Sequence, residues 1–133
     1  MTVIDPFMAG YLPILVVDAN GAAAQQLAAQ LHHSGFETDI AISCSAAHTA
    51  ARAKHYGSLV VVADPNQAAD LDCLATLRKK VPRAWLIAIS STAHPQAKEI
   101  LFRCGIDSLL VAPFSMEDLL FRLSAFARRS RPL

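Results

Sequence analysis

Five short strand-like runs recur along this chain, and each is followed by a stretch whose apolar residues repeat at helical spacing. The runs are Ile14–Val17, Thr38–Ile42, Leu59–Val62, Trp85–Ile89 and Ser108–Val111. Four are compact and rich in β-branched or leucine side chains; Thr38–Ile42 is weaker. A near-continuous apolar run of this length reads as a strand buried on both faces. Such a strand needs a covering layer above and below, and the intervening helical patterns supply it. Alternation of this kind builds βαβ units, and right-handed crossovers turn them into a parallel sheet covered on both sides. Of 133 residues, 53% are hydrophobic and 17% charged, which suits one domain and excludes disorder.

Local signals mark where the helices start and stop. Asn20 can cap the first, which carries Leu27, Ala28 and Leu31 and stops at Gly35. Ser43 or Ser45 can cap an alanine-rich second helix that runs to about His55 and ends at Gly57. Asp64, Pro65 and Asn66 mark a turn. The third helix aligns Leu71, Leu74 and Leu77 and ends before Pro82. Pro95 fits the first turn of the fourth, which is expected to bury Ala97, Ile100, Leu101 and Cys104 and to close at Gly105. Ser115 caps the last, with Asp118 three residues on and Phe114 and Leu119 placed as a hydrophobic staple.

Net charge is +1, so no general attraction to nucleic acid or membrane is expected. Arg128, Arg129 and Arg131 cluster at the end, a solvated helix terminus or a contact for an acidic partner. Cys44, Cys73 and Cys104 are far apart, with no C-x-x-C; neither a disulfide framework nor a zinc site is expected, and free thiols fit a reducing cytoplasm. His32 and His33 suit a helix C-terminus, and His48, His55 and His94 show no ligand spacing. Asp70 and Asp72 do not share a helix face. No nucleophile elbow and no phosphate-binding glycine loop occur. Met1–Leu12 has no signal-peptide pattern, and no apolar run reaches membrane-spanning length.

In an open parallel sheet, ligands sit at the carboxyl ends of the strands. The residues to question are therefore Asp18, Ala19, Ala63, Asp64, Ser90 and Ala112. Around them the chain resembles the receiver domain of two-component response regulators. The likeness runs from about Pro13 to Arg129 and rests on Ile14–Asn20, His33–Phe36, Tyr56–Ala63, Leu77 and Arg78 with Pro82, Leu86–Ser90 and Gly105–Phe114. It implies a flavodoxin-like, doubly wound sheet of five parallel strands in order 2-1-3-4-5 with five helices. It divides the chain into an N-terminal extension (1–12), the receiver-like domain (13–129) and a tail or linker stub (130–133).

The family's chemistry requires two acids after the first strand to hold magnesium and an aspartate ending the third strand to take a phosphoryl group. It also requires a hydroxyl after the fourth strand and a lysine after the fifth. Phosphoryl transfer is mostly positioning and charge neutralisation, so each charge matters. Asp18 matches the first acid and Ser90 the hydroxyl. Ala19, Ala63 and Ala112 stand at the second acid, the phosphoacceptor and the lysine, and Leu109 replaces the fifth strand's switching aromatic. One carboxylate and one hydroxyl do not make a tight magnesium site. The resemblance thus implies a degenerate receiver: not an enzyme, with no cofactor and no metal, cytoplasmic, binding a protein partner or a second copy. Phe102, Arg103, Leu109, Phe121 and Arg122, on the face of the fourth helix, fifth strand and last helix, are the candidate contacts. The resemblance leaves room for an output domain after Leu133. Asp64, one residue past Ala63, is the alternative acceptor, although a one-residue shift turns a side chain to the opposite face and capping the turn before Pro65 also accounts for it. A third reading fills the strand-end hollow with a small molecule. Trp85 is either an interface anchor or partly packed core.

Overall fold

In the computed structural model residues 12–92 and 94–129 are described. The expected extension before Leu12 and the tail 130–133, with Arg131, lie outside them.

The strands are β1 (Ile14–Val17), β2 (Thr38–Ala41), β3 (Ser58–Val62), β4 (Trp85–Ser90) and β5 (Ser108–Val111), all parallel in the order β2-β1-β3-β4-β5. Between and after them run α1 (Gly21–His33), α2 (Cys44–Ala53), α3 (Ala68–Lys80), α4 (Pro95–Arg103) and α5 (Met116–Arg128). Period-two alternation sorts the strand side chains into two cores. Leu15, Val17, Leu59, Val61, Leu86 and Ala88 pack with Ala47 of α2, Leu74 and Leu77 of α3 and Leu101 of α4. Ile14, Val16, Val60, Ile87 and Ile89 pack on the other side with Ala28 and Leu31 of α1 and Leu119 and Leu123 of α5. This is the doubly wound architecture expected from the sequence.

The caps follow local chemistry. Asn20, Ser43 and Ser115 each accept the backbone N–H three residues on, at 3.1, 3.0 and 3.1 Å. His94 caps α4 from two residues away, its Nδ1 accepting from the Gln96 N–H at 3.2 Å. Gly35 and Gly105 hold φ of 101° and 100° just past α1 and α4, the left-handed geometry that closes a helix. A side chain at Gly105 would also meet the Arg78 stem, 2.5 Å from its Cγ.

Four expectations are corrected. α2 ends at Ala53 rather than near His55, and Gly57 is not its stop: Lys54 is extended, φ −152° and ψ 148°, and its ammonium bonds Glu37 and Asp39. β2 ends at Ala41, where the pairing with Val17 stops, leaving Ile42 59% exposed. Ile100 is not buried but 38% exposed, on the shoulder of an α4 whose inner face is Ala97 and Leu101. The cysteines are not all free: Cys44 and Cys73 form a disulfide with a Cα–Cα distance of 5.8 Å, and Cys104 alone is a free thiol. Packing α2 beside α3 on one side of the sheet brings together residues 29 apart in sequence, which no local spacing reveals. The inference from free thiols to a reducing compartment keeps only Cys104.

Candidate functional site at the carboxyl ends of the strands

The register places Val17 of β1 beside Ala41 and Val61, so the residues after β1 and β3 emerge side by side. Asp18, Ala19, Asp64 and Asp70 line one hollow of about 360 Å³, and Cys44 and Cys73 form part of its wall. Ala63 lies beneath, 2% exposed, its N–H still donating to the Ile89 carbonyl at 2.9 Å. The alternation that sends Val61 into the core sends Ala63 the same way. Asp64 is the first residue past this pairing and turns to the hollow's rim.

Each carboxylate at the rim has a local engagement. Asp18 Oδ1 accepts the Asn20 N–H at 3.0 Å. Asp64 Oδ1 accepts the Asn66 N–H at 2.9 Å, the bond of an Asx turn at Pro65. Asp70 Oδ2 accepts the Asp64 N–H at 2.9 Å, tying the first turn of α3 to the loop. Ser90 and Ala112 sit on neighbouring strand ends, joined by the Ala112 N–H to the Ser90 carbonyl at 2.7 Å. Ser90 is buried, 2% exposed, and its hydroxyl accepts the Thr92 N–H at 3.2 Å. The peptide bond between Ala112 and Pro113 is cis.

The magnesium ion that the resemblance implies needs several oxygens in near-octahedral order. Here the second acid is Ala19, and Asp18 and Asp64 each already spend an oxygen on a turn. The residues present do not fit that ion. On the other side of the sheet ends a second hollow of about 440 Å³, lined by Asp18, Leu27, Val62, Ile89, Phe114 and Met116, is mostly apolar.

The five residues expected at the α4–β5–α5 face divide. Phe102 and Phe121 are 47% and 68% exposed. Arg103 is solvated and pairs with Glu99 at 2.6 Å along its own helix. Arg122 is used within the chain: it donates to Asp118 at 3.1 Å and to the Leu109 carbonyl at 2.9 Å, fastening α5 to β5. Leu109 is half-buried against the α3 side of the core. Trp85 is also packed, its ring stacked on Phe126 with centroids 4.3 Å apart and planes 6° from parallel.

One cluster escaped the sequence reading. Cys44, His48 and Cys73 present their ligand-type atoms within 4.8 Å of one another. Burial, and the nearby charges of Lys80 and Arg52, hold the His48 imidazole below the ordinary histidine range. Cys44 and His48 are four apart on α2, and that spacing was the available signal; the contribution of Cys73 from α3 was not visible.

No protein-family model matches the sequence, and no curated protein sequence matches it. Solved structures do. The receiver domain of the Francisella response regulator 1452 is 24% identical, covering 89% of this chain and 98% of its own, with a TM-score of 0.76. A Burkholderia pseudomallei response regulator with a phosphorylated aspartic acid, calcium ion and citrate is 23% identical, covering 89% of this chain and 69% of its own, at 0.74. A putative pilus assembly-related protein from the same species is 16% identical, covering 97% and 98%, at 0.80. At these identities the likeness shows the fold: five parallel strands and five helices in the receiver arrangement. Among the described residues no helix is long and apolar enough to cross a membrane.

Proposed function

We propose that this chain is a degenerate receiver domain, a regulatory module of bacterial signalling that works by docking a protein rather than by accepting a phosphoryl group, and that it is not an enzyme. The observation that carries the reading is the set of methyl groups at Ala19, Ala63 and Ala112, within a complete hydrophobic framework. An acyl phosphate beside carboxylates requires a cation and an ammonium to offset the repulsion, and those positions supply neither. Docking is supported by Phe102 and Phe121, apolar rings left in water on α4 and α5, as aromatic anchors are at interfaces. The test is incubation of the whole chain with acetyl phosphate and magnesium, followed by intact mass. The expected result is an unchanged mass; a stable adduct of one phosphoryl group overturns the reading.

A second reading is favoured by one specific observation: the Asp64 carboxylate shares its hollow with Asp18 and Asp70. If Asp64 is the acceptor, the same incubation labels the chain and Asp64→Asn abolishes the label.

A further inference from the structure

The bonded cysteines have a third member beside them. Cys44 opens α2, His48 stands one turn later on the same face, and Cys73 meets both from α3. Two sulfurs and an imidazole nitrogen lie within 4.8 Å of one another. His48 Nδ1 is buried and has no hydrogen-bond partner. A polar nitrogen held from water without a partner is costly, and such groups call for an explanation beyond packing. A cation between that ring and the sulfurs provides one.

We propose that, once the Cys44–Cys73 bond is reduced, Cys44, Cys73 and His48 bind a zinc ion, so that a disulfide and a metal thiolate are alternative states of one clip between α2 and α3. Two thiolates and an imidazole are a donor set for this borderline-soft, four-coordinate ion. Zinc–sulfur bonds of about 2.3 Å and a zinc–nitrogen bond of about 2.0 Å place tetrahedral ligand atoms roughly 3.5–3.8 Å apart. Atoms already within 4.8 Å reach that spacing when the sulfurs separate. Bound as thiolates, the two sulfurs neutralise the dication. The cysteines border the hollow at the strand ends, which leaves the fourth position to water.

The conversion balances. A small dithiol gives two electrons and two protons and becomes a cyclic disulfide; the Cys44–Cys73 bond breaks and each sulfur gains a proton. Zinc then displaces both protons. In the reverse direction a low-molecular-weight disulfide takes two electrons from the thiolates and two protons from solvent and leaves as two thiols. The protein S–S bond re-forms and the ion departs.

The experiment uses the whole chain, reduced with a phosphine, freed of it without oxygen, and titrated with zinc by calorimetry and with cobalt(II) by absorption. The expected result is one equivalent bound, a thiolate-to-cobalt charge-transfer band with tetrahedral d–d bands, and a zinc-dependent rise in melting temperature. Cys104→Ser should retain all three. His48→Ala should weaken binding by more than the roughly 10–100-fold that loss of an outer-shell partner costs. The oxidised wild-type chain is a folded control needing no substitution and should bind no zinc at this affinity. Zinc bound no more tightly by reduced than by oxidised chain overturns the site. Binding unmoved by His48→Ala, or lost in Cys104→Ser, overturns the ligand set.

Discussion

Arg78 ties three segments of the fold together. Its guanidinium donates to the Val81 and Ala84 carbonyls at 2.8 and 2.7 Å, to the Gly105 carbonyl at 3.3 Å and to Asp107 at 3.0 Å. Asp107 in turn accepts the Leu86 N–H at 2.8 Å. One planar fork thus finishes α3, the loop into β4 and the turn into β5, and an ammonium cannot reproduce it. Arg78→Met is expected to cost about 2–4 kcal/mol, because it strands a carboxylate and several carbonyls that are partly shielded from water. Arg78→Lys should recover less than half of that loss, measured by urea unfolding. Arg78 was legible in the sequence only as a landmark of the resemblance; its partners lie up to 29 residues away. The strand-end alanines, by contrast, were readable, because a parallel sheet fixes which residues follow each strand. The bonds of Arg122 to Asp118 and the Leu109 carbonyl were hidden for the same reason: a guanidinium's partners depend on which carbonyls and carboxylates the fold brings to it.

Between elements, α2 is held to β2 by a small polar group. Lys54 bridges Glu37 and Asp39 at 2.6 and 3.0 Å, and the Tyr56 hydroxyl donates to Asp39 at 2.7 Å. Burial, then the bond to Asp39, pushes the Tyr56 phenol up to about 12. The Tyr56 and Lys54 bonds hold Asp39 below its ordinary value. The signs follow by linkage. A raised phenol stabilises the fold below its unfolded pKa of about 10, and that contribution is lost as pH rises toward about 12. A depressed carboxylate stabilises above its unfolded value of 3.8 and loses its contribution as pH falls through the folded one. Urea midpoints should therefore drop between about pH 10 and about pH 12, and Tyr56→Phe should flatten that drop. Helix and strand identities were legible because periodicity is local. The early end of α2 was not, since it is set by a lysine reaching across to another strand.

For the molecule as a whole, one end of the sheet carries the strand-end hollow with the Cys44–Cys73 disulfide in its wall, and the β5 side carries the exposed aromatic rings. The docking reading predicts that Phe121→Asp, or Phe102→Asp, leaves the melting temperature within a few degrees, since both rings are already in water. Either change should weaken self-association or partner capture, read by sedimentation of the whole chain across a concentration series. Unchanged association in both folded variants would place the interface elsewhere. The two-layer plan was plain from the sequence. The contact between α2 and α3 was not, because it depends on the way two crossovers lie side by side.

The stack of Trp85 on Phe126 has an optical consequence. The chain holds a single tryptophan, and its ring rests on the last helix near that helix's end. Its emission is thus a label, already in place, for whether α5 is seated on the sheet. Unseating α5 would bare the indole to solvent and shift its fluorescence to the red, while an event confined to the α2–α3 clip would leave the colour unchanged. A single cuvette can therefore tell motion at one edge of the molecule from chemistry at the other.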